Sequence, residues 1–373
     1  MSGILTMRRT HGFSLIELML ALALGVVVVS GIVQLFVGNS KTYTLLTGQS
    51  RLQENGRFAL DFIERSVRSA GYMGCAPERQ NMVKGLRGNW NVVYEFDITR
   101  FVQGHEGNGD GSFTPPLAAL PTTVGAVNAA NLYNDGTGID PAVIAPQTDV
   151  LIVRQVSAGT PLVQTLQPNG NPVVRAPGGN PGFGVNDIVM VSDCEQAAVF
   201  KITGMNVAGN EATLLNATAT AGDFFENADT IASPTGPIPY TLSFLGRSYG
   251  EDAVVGEVQT TIFFVAPTTA GANNRGNVPM SLWRRVGSTN AVELIEGVED
   301  LQLLYGIDNT PADGISDANQ YVTFPNVPDV NQIVAVRVSV TANSVDAVVD
   351  AGDGLLRRTF TQTILIRNAN PGA

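Results

Sequence analysis

The feature that most constrains this chain is an uncharged run near its start. From Leu18 to Val37 no side chain is ionised, and only Ser30 and Gln34 are clearly polar. Twenty helical residues rise about 30 Å, enough to cross the hydrocarbon core of a bilayer. Arg8 and Arg9 stand just before the run, so the leader stays cytoplasmic and the residues beyond the run are carried across. One acid, Glu17, sits at its edge. A carboxylate there costs up to about 3 kcal/mol, depending on its depth. Two ordinary readings are open: a carboxylate tolerated at the headgroups, or a secretory signal with an untidy apolar region. A secretory signal, however, places its small cleavage-site residues after the apolar run, and here Gly12 precedes it. A cut between Gly12 and Phe13 would leave the apolar helix on the mature chain. It would also create a new α-amino group close to Glu17.

Composition bounds what lies beyond the membrane. The chain has 373 residues, 44% of them hydrophobic and 15% charged, enough for one large or two small extracytoplasmic units. Forty glycines and twenty prolines, with neither a collagen period nor a low-complexity tract, call for many turns. The formal net charge is −11, and it grows more negative once the leader arginines are removed. Such a head is a poor partner for nucleic acid, which is bound by neutralising phosphates with Lys and Arg, and none is expected. The two cysteines, Cys75 and Cys194, both lie beyond the membrane segment. In an oxidising compartment they are expected to pair, closing a loop of about 120 residues worth about 4–5 kcal/mol in a chain-entropy account. Two buried free thiols are the alternative.

Helical character continues past the membrane. No proline occurs before Pro77, and Leu45, Leu52, Ala59, Ile63, Val67 and Ala70 recur on one helical face. The pattern predicts a helix from about Ser14 to Ala70, roughly 85 Å long. Residues 13–40 would serve the membrane or filament core, 41–73 would carry the head, and 74–373 would be the head. Gly71, with Pro77 soon after, ends the helix. Gly25, Gly31, Gly38, Gly48 and Gly56 each weaken it by about 1 kcal/mol relative to alanine. They read either as bend points or as small residues that admit close packing. Residues 81–145 look irregular. Strands are predicted over Asp149–Gln155, Asp187–Val191, Val199–Thr203, Val258–Val265, Leu301–Tyr305, Ile333–Thr341 and Arg358–Arg367. The alternation of Val334, Val336, Val338 and Val340 with Arg337, Ser339 and Thr341 marks a half-buried strand. A long helix and then a series of strands predict an α+β fold, an antiparallel sheet packed on the second half of the helix. The stretches 206–239 and 268–278 read as surface loops, and a division of the head is expected near 233–240.

No motif points to catalysis. There is no Gly-x-Ser-x-Gly elbow, phosphate loop or His-Glu-x-x-His. His105 adjoins Glu106 in the glycine-rich stretch Gly104–Gly111 and reads as a loop histidine without chemistry. Glu299 and Asp300 are adjacent on a predicted strand, face opposite ways, and read as surface charge rather than a glycosidase pair. Asp308, Asp313 and Asp317 form an acidic turn that lacks EF-hand spacing. It reads as a solvated turn, with calcium as the alternative, and no cofactor is expected.

The segment Gly12-Phe13-Ser14-Leu15-Ile16-Glu17-Leu18-Met19 resembles the class III signal of type IV pilins and pseudopilins. The resemblance implies that a prepilin peptidase cuts after Gly12 and methylates Phe13. It also implies that Glu17 pairs with the N-terminal ammonium of a neighbouring subunit; two charges stranded in an apolar filament core are costly alone and far cheaper together. A second set of residues is similar to the PilW family of minor pilins: Arg51–Leu60, Ala70–Cys75, Ser192–Cys194 with Val199-Phe200, Leu282–Arg285 and Glu296–Gly306. That resemblance implies a pilin-like fold with a single-pass anchor in the bacterial inner membrane and a periplasmic head. It further implies that the protein joins other minor pilins, the major pilin and a PilY-type adhesin to prime assembly and ride at the pilus tip. Related pseudopilins hold calcium in acidic loops, but Thr310 and Ala312 interrupt the Asp/Gly run that PilW relatives carry. Two alternatives stand beside this reading: a tip module that binds a surface or ligand directly, and a type II secretion pseudopilin.

Overall fold

A computed structural model describes residues 14–74, 82–87, 100–115, 144–217, 226–232, 245, 247–287, 291–310 and 315–369. Among the described residues one α-helix, α1 (Leu15–Ser69), precedes eighteen strands. In chain order these are β1 (Met82–Arg87), β2 (Val102–Gly107), β3 (Phe113–Thr114), β4 (Val150–Val156), β5 (Thr160–Pro161) and β6 (Val173–Arg175). Next come β7 (Ile188–Ser192), β8 (Ala197–Lys201), β9 (Gly204–Ala208), β10 (Glu211–Leu215), β11 (Glu226–Ala232) and β12 (Val254–Pro267). The last six are β13 (Met280–Val286), β14 (Val292–Glu296), β15 (Val298–Ile307), β16 (Gln320–Val322), β17 (Ile333–Asn343) and β18 (Arg357–Leu365). This is the α+β arrangement expected.

The described strands make three sheets. The largest runs β11-β1-β8-β7-β12-β4-β2-β3, with β5 and the β13–β14 pair also attached through β12. A second runs β6-β10-β9 and a third β16-β15-β17-β18. Among the described ladders only β1–β8 is parallel. The third sheet is the one that carries the helix. Val336, Val338 and Val340 are fully buried while Arg337, Ser339 and Thr341 stay partly exposed, as the alternation predicts. On β18 the face with Phe360, Gln362 and Ile364 turns towards α1: Gln362 Nε2 donates to Glu64 Oε2 at 2.7 Å. Leu52, Ala59, Ile63 and Val67 of the helix are buried, and Ala59, Ile63 and Val67 share one core with β15, β17 and β18. A second core joins Val189, Val191, Phe200, Ile202, Leu214, Tyr249 and Val255 and contains no helix residue.

The helix glycines now separate by what they face. A Cβ on Gly48 would stand 2.8 Å from Val348, and one on Gly56 would overlap the Phe360 ring. Those two are close-packing positions against the head. At Gly25, Gly31 and Gly38 a Cβ would meet nothing within 4 Å. Gly71 ends the helix with φ +71°, and a Cβ there would overlap the Phe101 ring. Its N–H donates to the Arg154 carbonyl at 2.9 Å, and the Tyr72 carbonyl accepts from Val156 N–H at 2.7 Å. The helix end is thus tied to β4.

Three expectations need correction. Residues 81–145 contain β1, β2 and β3, and 206–239 contain most of β9 and all of β10 and β11. These strands carry little apolar patterning of their own, and pairing supplies what their sequences lack: β2 is held by β4 through Val102–Val153 and Gly104–Leu151. His105 lies in β2, not in a loop, and is only 2% exposed. Glu299 and Asp300 do not face opposite ways. The β15–β17 register slips between Val298 and Asp300, and that bulge turns both acids to one shallow depression shared with Gln302 and Arg357. Loop 268–278 stands as a loop, but it is pinned: Asn273 and Asn274 donate to the Val345 and Ala347 carbonyls at 3.0 Å. The division expected near 233–240 falls outside the described residues.

The glycine contacts make a paired prediction. Gly56→Ala gains about 1 kcal/mol of helix propensity but overpacks against Phe360, which costs about 1–3 kcal/mol. In thermal denaturation of the full chain in detergent, Gly56→Ala should melt below the parent and Gly31→Ala should not. Equal melting of the two variants would contradict the packing assignment.

Candidate functional site

The first half of α1 is the most unusual surface in the molecule. Every residue from Leu15 to Thr44 is exposed, and from Leu18 to Val37 the run is uncharged. The described residues contain one helix long and apolar enough to cross a membrane, and this is it. Nothing in the described head covers it. Its start is built locally: Ser14 caps the helix, its Oγ accepting the Glu17 N–H at 3.2 Å. Ser14-x-x-Glu17 is a capping-box pattern, a signal that sequence reasoning passed over. The Glu17 carboxylate is exposed and has no partner among the described residues. Gly12 and Phe13 lie outside those residues.

Head and helix meet first at Lys41, whose Nζ bonds Asp350 at 2.8 Å. Both side chains are exposed, so this pair contributes little on its own. Inward contacts then take over: Asn55 Nδ2 donates to the Glu296 carbonyl at 2.8 Å, and Asn368 Nδ2 to the Ala70 carbonyl at 3.1 Å.

Cys194 sits in the exposed turn between β7 and β8. Asp193 organises that turn, its Oδ1 accepting the N–H groups of Glu195 and Gln196 at 2.9 and 2.8 Å. Arg247 clamps it from outside through ion pairs to Asp193 and Glu195. Cys75 lies outside the described residues, but its flanks do not. A Cβ on Gly74 would be 2.8 Å from Ser192 Oγ, and Met82 is paired with Ala197. Both flanks therefore run past the Cys194 turn. Of the acidic turn, Asp317 is exposed as expected, Asp313 lies outside the described residues, and Asp308 is fully buried rather than solvated.

A buried joint between the sheets escaped sequence reasoning. Asp149, at the mouth of the apolar run Val150–Val153, is buried. Its N–H donates to the Leu301 carbonyl at 2.8 Å, its Oδ2 accepts Leu303 N–H at 2.8 Å, and its Oδ1 accepts Gly107 N–H at 3.2 Å. One residue thus links β2 and β4 to β15. Burial, with help from nearby Glu106 and Asp300, pushes its carboxyl up to about 7 against the two N–H donors. His105 is pushed the other way, down to about 4, chiefly by burial; the Pro115 carbonyl at 2.6 Å from Nδ1 opposes that and the Arg154 charge adds to it. Gly104 must lack a side chain because the Tyr305 hydroxyl fills the space a Cβ would take. An acid next to an apolar strand was the available clue to this joint.

Comparison with known proteins gives the class. Residues 7–33 match the prokaryotic N-terminal methylation motif. That motif, leading into a helix whose first half is bare and apolar and whose second half carries a β-rich head, fits the class of membrane-anchored pilins that later enter a pilus. Residues 262–368, from within β12 to just past β18, match the family of type IV pilus-assembly protein W. The resemblance read from Leu282–Arg285 and Glu296–Gly306 falls inside that match, so a PilW-family domain and a prepilin methylation motif are both present in the chain. The matched families are assembly proteins, and a prepilin peptidase and pilus components are the partners they imply. No curated protein and no solved structure matches the chain.

The joint yields a signed pH prediction. Folded Asp149 keeps its proton up to about pH 7, while its unfolded form releases it near the ordinary 3.8. Its stabilising share is therefore present at about pH 4 and lost as pH rises to 7. Folded His105 refuses a proton down to about pH 4, while its unfolded form takes one near 6.5. Its share is present at neutral pH and lost as pH falls towards 4. Relative to the parent, Asp149→Asn should raise the melting temperature at pH 7 compared with pH 5, and His105→Asn should do the reverse.

Proposed function

We propose that this chain is a non-catalytic minor pilin that primes type IV pilus assembly and then forms part of the pilus tip complex. Prepilin peptidase would release it between Gly12 and Phe13 and methylate Phe13. The helix would then leave the inner membrane by packing against the helices of other minor pilins and the major pilin, with a PilY-type adhesin above. The observation that carries this reading is the bare stretch from Leu15 to Val37, about 35 Å of helix that the described head leaves uncovered. Such a surface is at home in lipid or against other apolar helices, and in no other setting. Within it Glu17 is the one acid, and pairing with a neighbour's N-terminal ammonium would remove the cost of each charge alone. The PilW match favours the pilus over a type II secretion system.

The test is Glu17→Ala in cells. The variant should reach the membrane at normal level with the head's melting temperature unchanged, yet be absent from sheared pili, and pilus number should fall at least tenfold. Normal incorporation would sink the charge-pairing account.

The flanks of residue 75 also support a Cys75–Cys194 bridge, which would fasten the helix end to the β7–β8 turn. Mass spectrometry of the unreduced mature protein should find one linked pair of cysteine peptides. Two alkylatable thiols would count against it.

A further inference from the structure

The helix-bearing sheet ends in a long open strand. β18 lies at its edge and has nine residues, about 30 Å of strand, whereas β16 at the opposite edge has three. All of β18 pairs with β17 without a register shift. The Ile366 N–H donates to the Val334 carbonyl at 2.9 Å, and in an antiparallel ladder such bonded pairs alternate along the strand. Arg358, Phe360, Gln362 and Ile364 therefore turn their backbone groups to β17. Thr359, Thr361, Thr363 and Leu365 turn theirs outward, where they meet no backbone partner among the described residues.

Sheet edges are ordinarily guarded by charges, prolines, bulges or shortness. From Thr359 to Leu365 β18 has no charge and no proline, and its ladder has no bulge. The strand is also held straight. The Thr359 and Thr361 hydroxyls bond those of Thr341 and Ser339 at 2.9 and 3.0 Å, and Thr363 Oγ1 accepts from Arg337 Nε at 3.2 Å. Thr359, Thr361 and Thr363 are nevertheless exposed. We propose that this edge takes a strand from another protein: an uncharged extended segment, matching Thr359–Leu365 in length, that runs antiparallel to β18 and ends in a carboxylate. Main-chain bonds give such an added strand its affinity, and alternate side chains its specificity. Arg358 calls for the carboxylate. It is exposed at the start of the edge, 5.2 Å from the Phe360 ring centre, with no acid against it among the described residues. A second copy of the chain is the wrong occupant. α1 follows β18 in the same sense, with Gly56 at Phe360, Glu64 at Gln362 and Ala70 at Asn368. Two β18 edges joined antiparallel would point their apolar half-helices in opposite directions, which one membrane cannot hold.

The experiment uses the full chain in detergent and a synthetic peptide of alternating valine and threonine, as long as Thr359–Leu365 and ending in aspartate. Alternate residues of the peptide are N-methylated, so that it pairs along one edge and cannot stack on itself. Amide hydrogen exchange is read residue by residue by mass spectrometry. Without peptide, the amides of Thr359, Thr361, Thr363 and Leu365 should exchange at least tenfold faster than those of Phe360, Gln362 and Ile364. The peptide should slow the first set at least tenfold and leave the second unchanged. A peptide N-methylated at every residue should protect nothing, and Arg358→Ala should weaken binding at least threefold. Thr361→Pro removes an outward N–H that β17 does not use, a place where an edge strand tolerates proline, and should abolish the protection while the head still melts cooperatively. Outward amides that are already slow in the chain alone overturn the proposal, because the chain or a second copy then covers the edge. It is overturned equally if the peptide leaves the exchange pattern unchanged or if the fully methylated peptide protects as well, even should Thr361→Pro fail to fold.

Discussion

One helix has to satisfy two environments, and the rest of the structure depends on how it does so. From Leu18 to Val37 α1 offers apolar surface on every side, which only lipid or other apolar helices can cover. From Gly48 onward it becomes an ordinary amphipathic helix, with one stripe buried and the opposite side polar. The changeover falls where Lys41 meets Asp350 and Gly48 meets Val348. The head therefore begins about 6 Å of helix beyond the end of the uncharged run, close to where a bilayer's headgroups would lie.

The head grips the helix by shape more than by charge. Gly56 admits the Phe360 ring, and a ring laid against bare backbone contributes far more through buried apolar area than the exposed ion pairs nearby contribute in Coulomb energy. Asp149 plays the complementary part away from the helix. It satisfies backbone donors from two sheets at once, so the large sheet and the helix-bearing sheet cannot slide without stranding a buried acid.

Elements with their own periodicity were legible in the sequence. The helix stripe Leu52, Ala59, Ile63 and Val67, and the alternation along β17, each declare a buried face. Strands that borrow their structure were not: β2 reads Val-Gln-Gly-His-Glu-Gly, and only its pairing with the apolar β4 makes it a strand. Residues whose meaning lies far away in the chain were equally opaque. Nothing near Gly48 or Gly56 says that Val348 and Phe360 will lie against them while Gly25, Gly31 and Gly38 face open space. Asp308 looked like any acid in a turn, and only the ladder's end buries it. At the candidate site the order was reversed. Glu17 was conspicuous from the first, because an acid beside an uncharged run needs no partner in the fold to attract notice.

The contact between Gly56 and Phe360 has a consequence in time as well as in space. The strand that covers the helix is the last in the described chain, some three hundred residues after the face it covers, and Asn368 closes the helix end itself. Until β18 has been exported, Ile63 and Val67 lack part of the wall they lie against, the rest of which β15 and β17 supply. Closure of the head over the helix is therefore deferred to the end of translocation, with non-local contacts that form slowly. For that interval the chain is held by its anchor at one end while its apolar helix face stays wet. The order of its sequence makes the nascent head a client for whatever guards unfolded chains on the far side of the membrane.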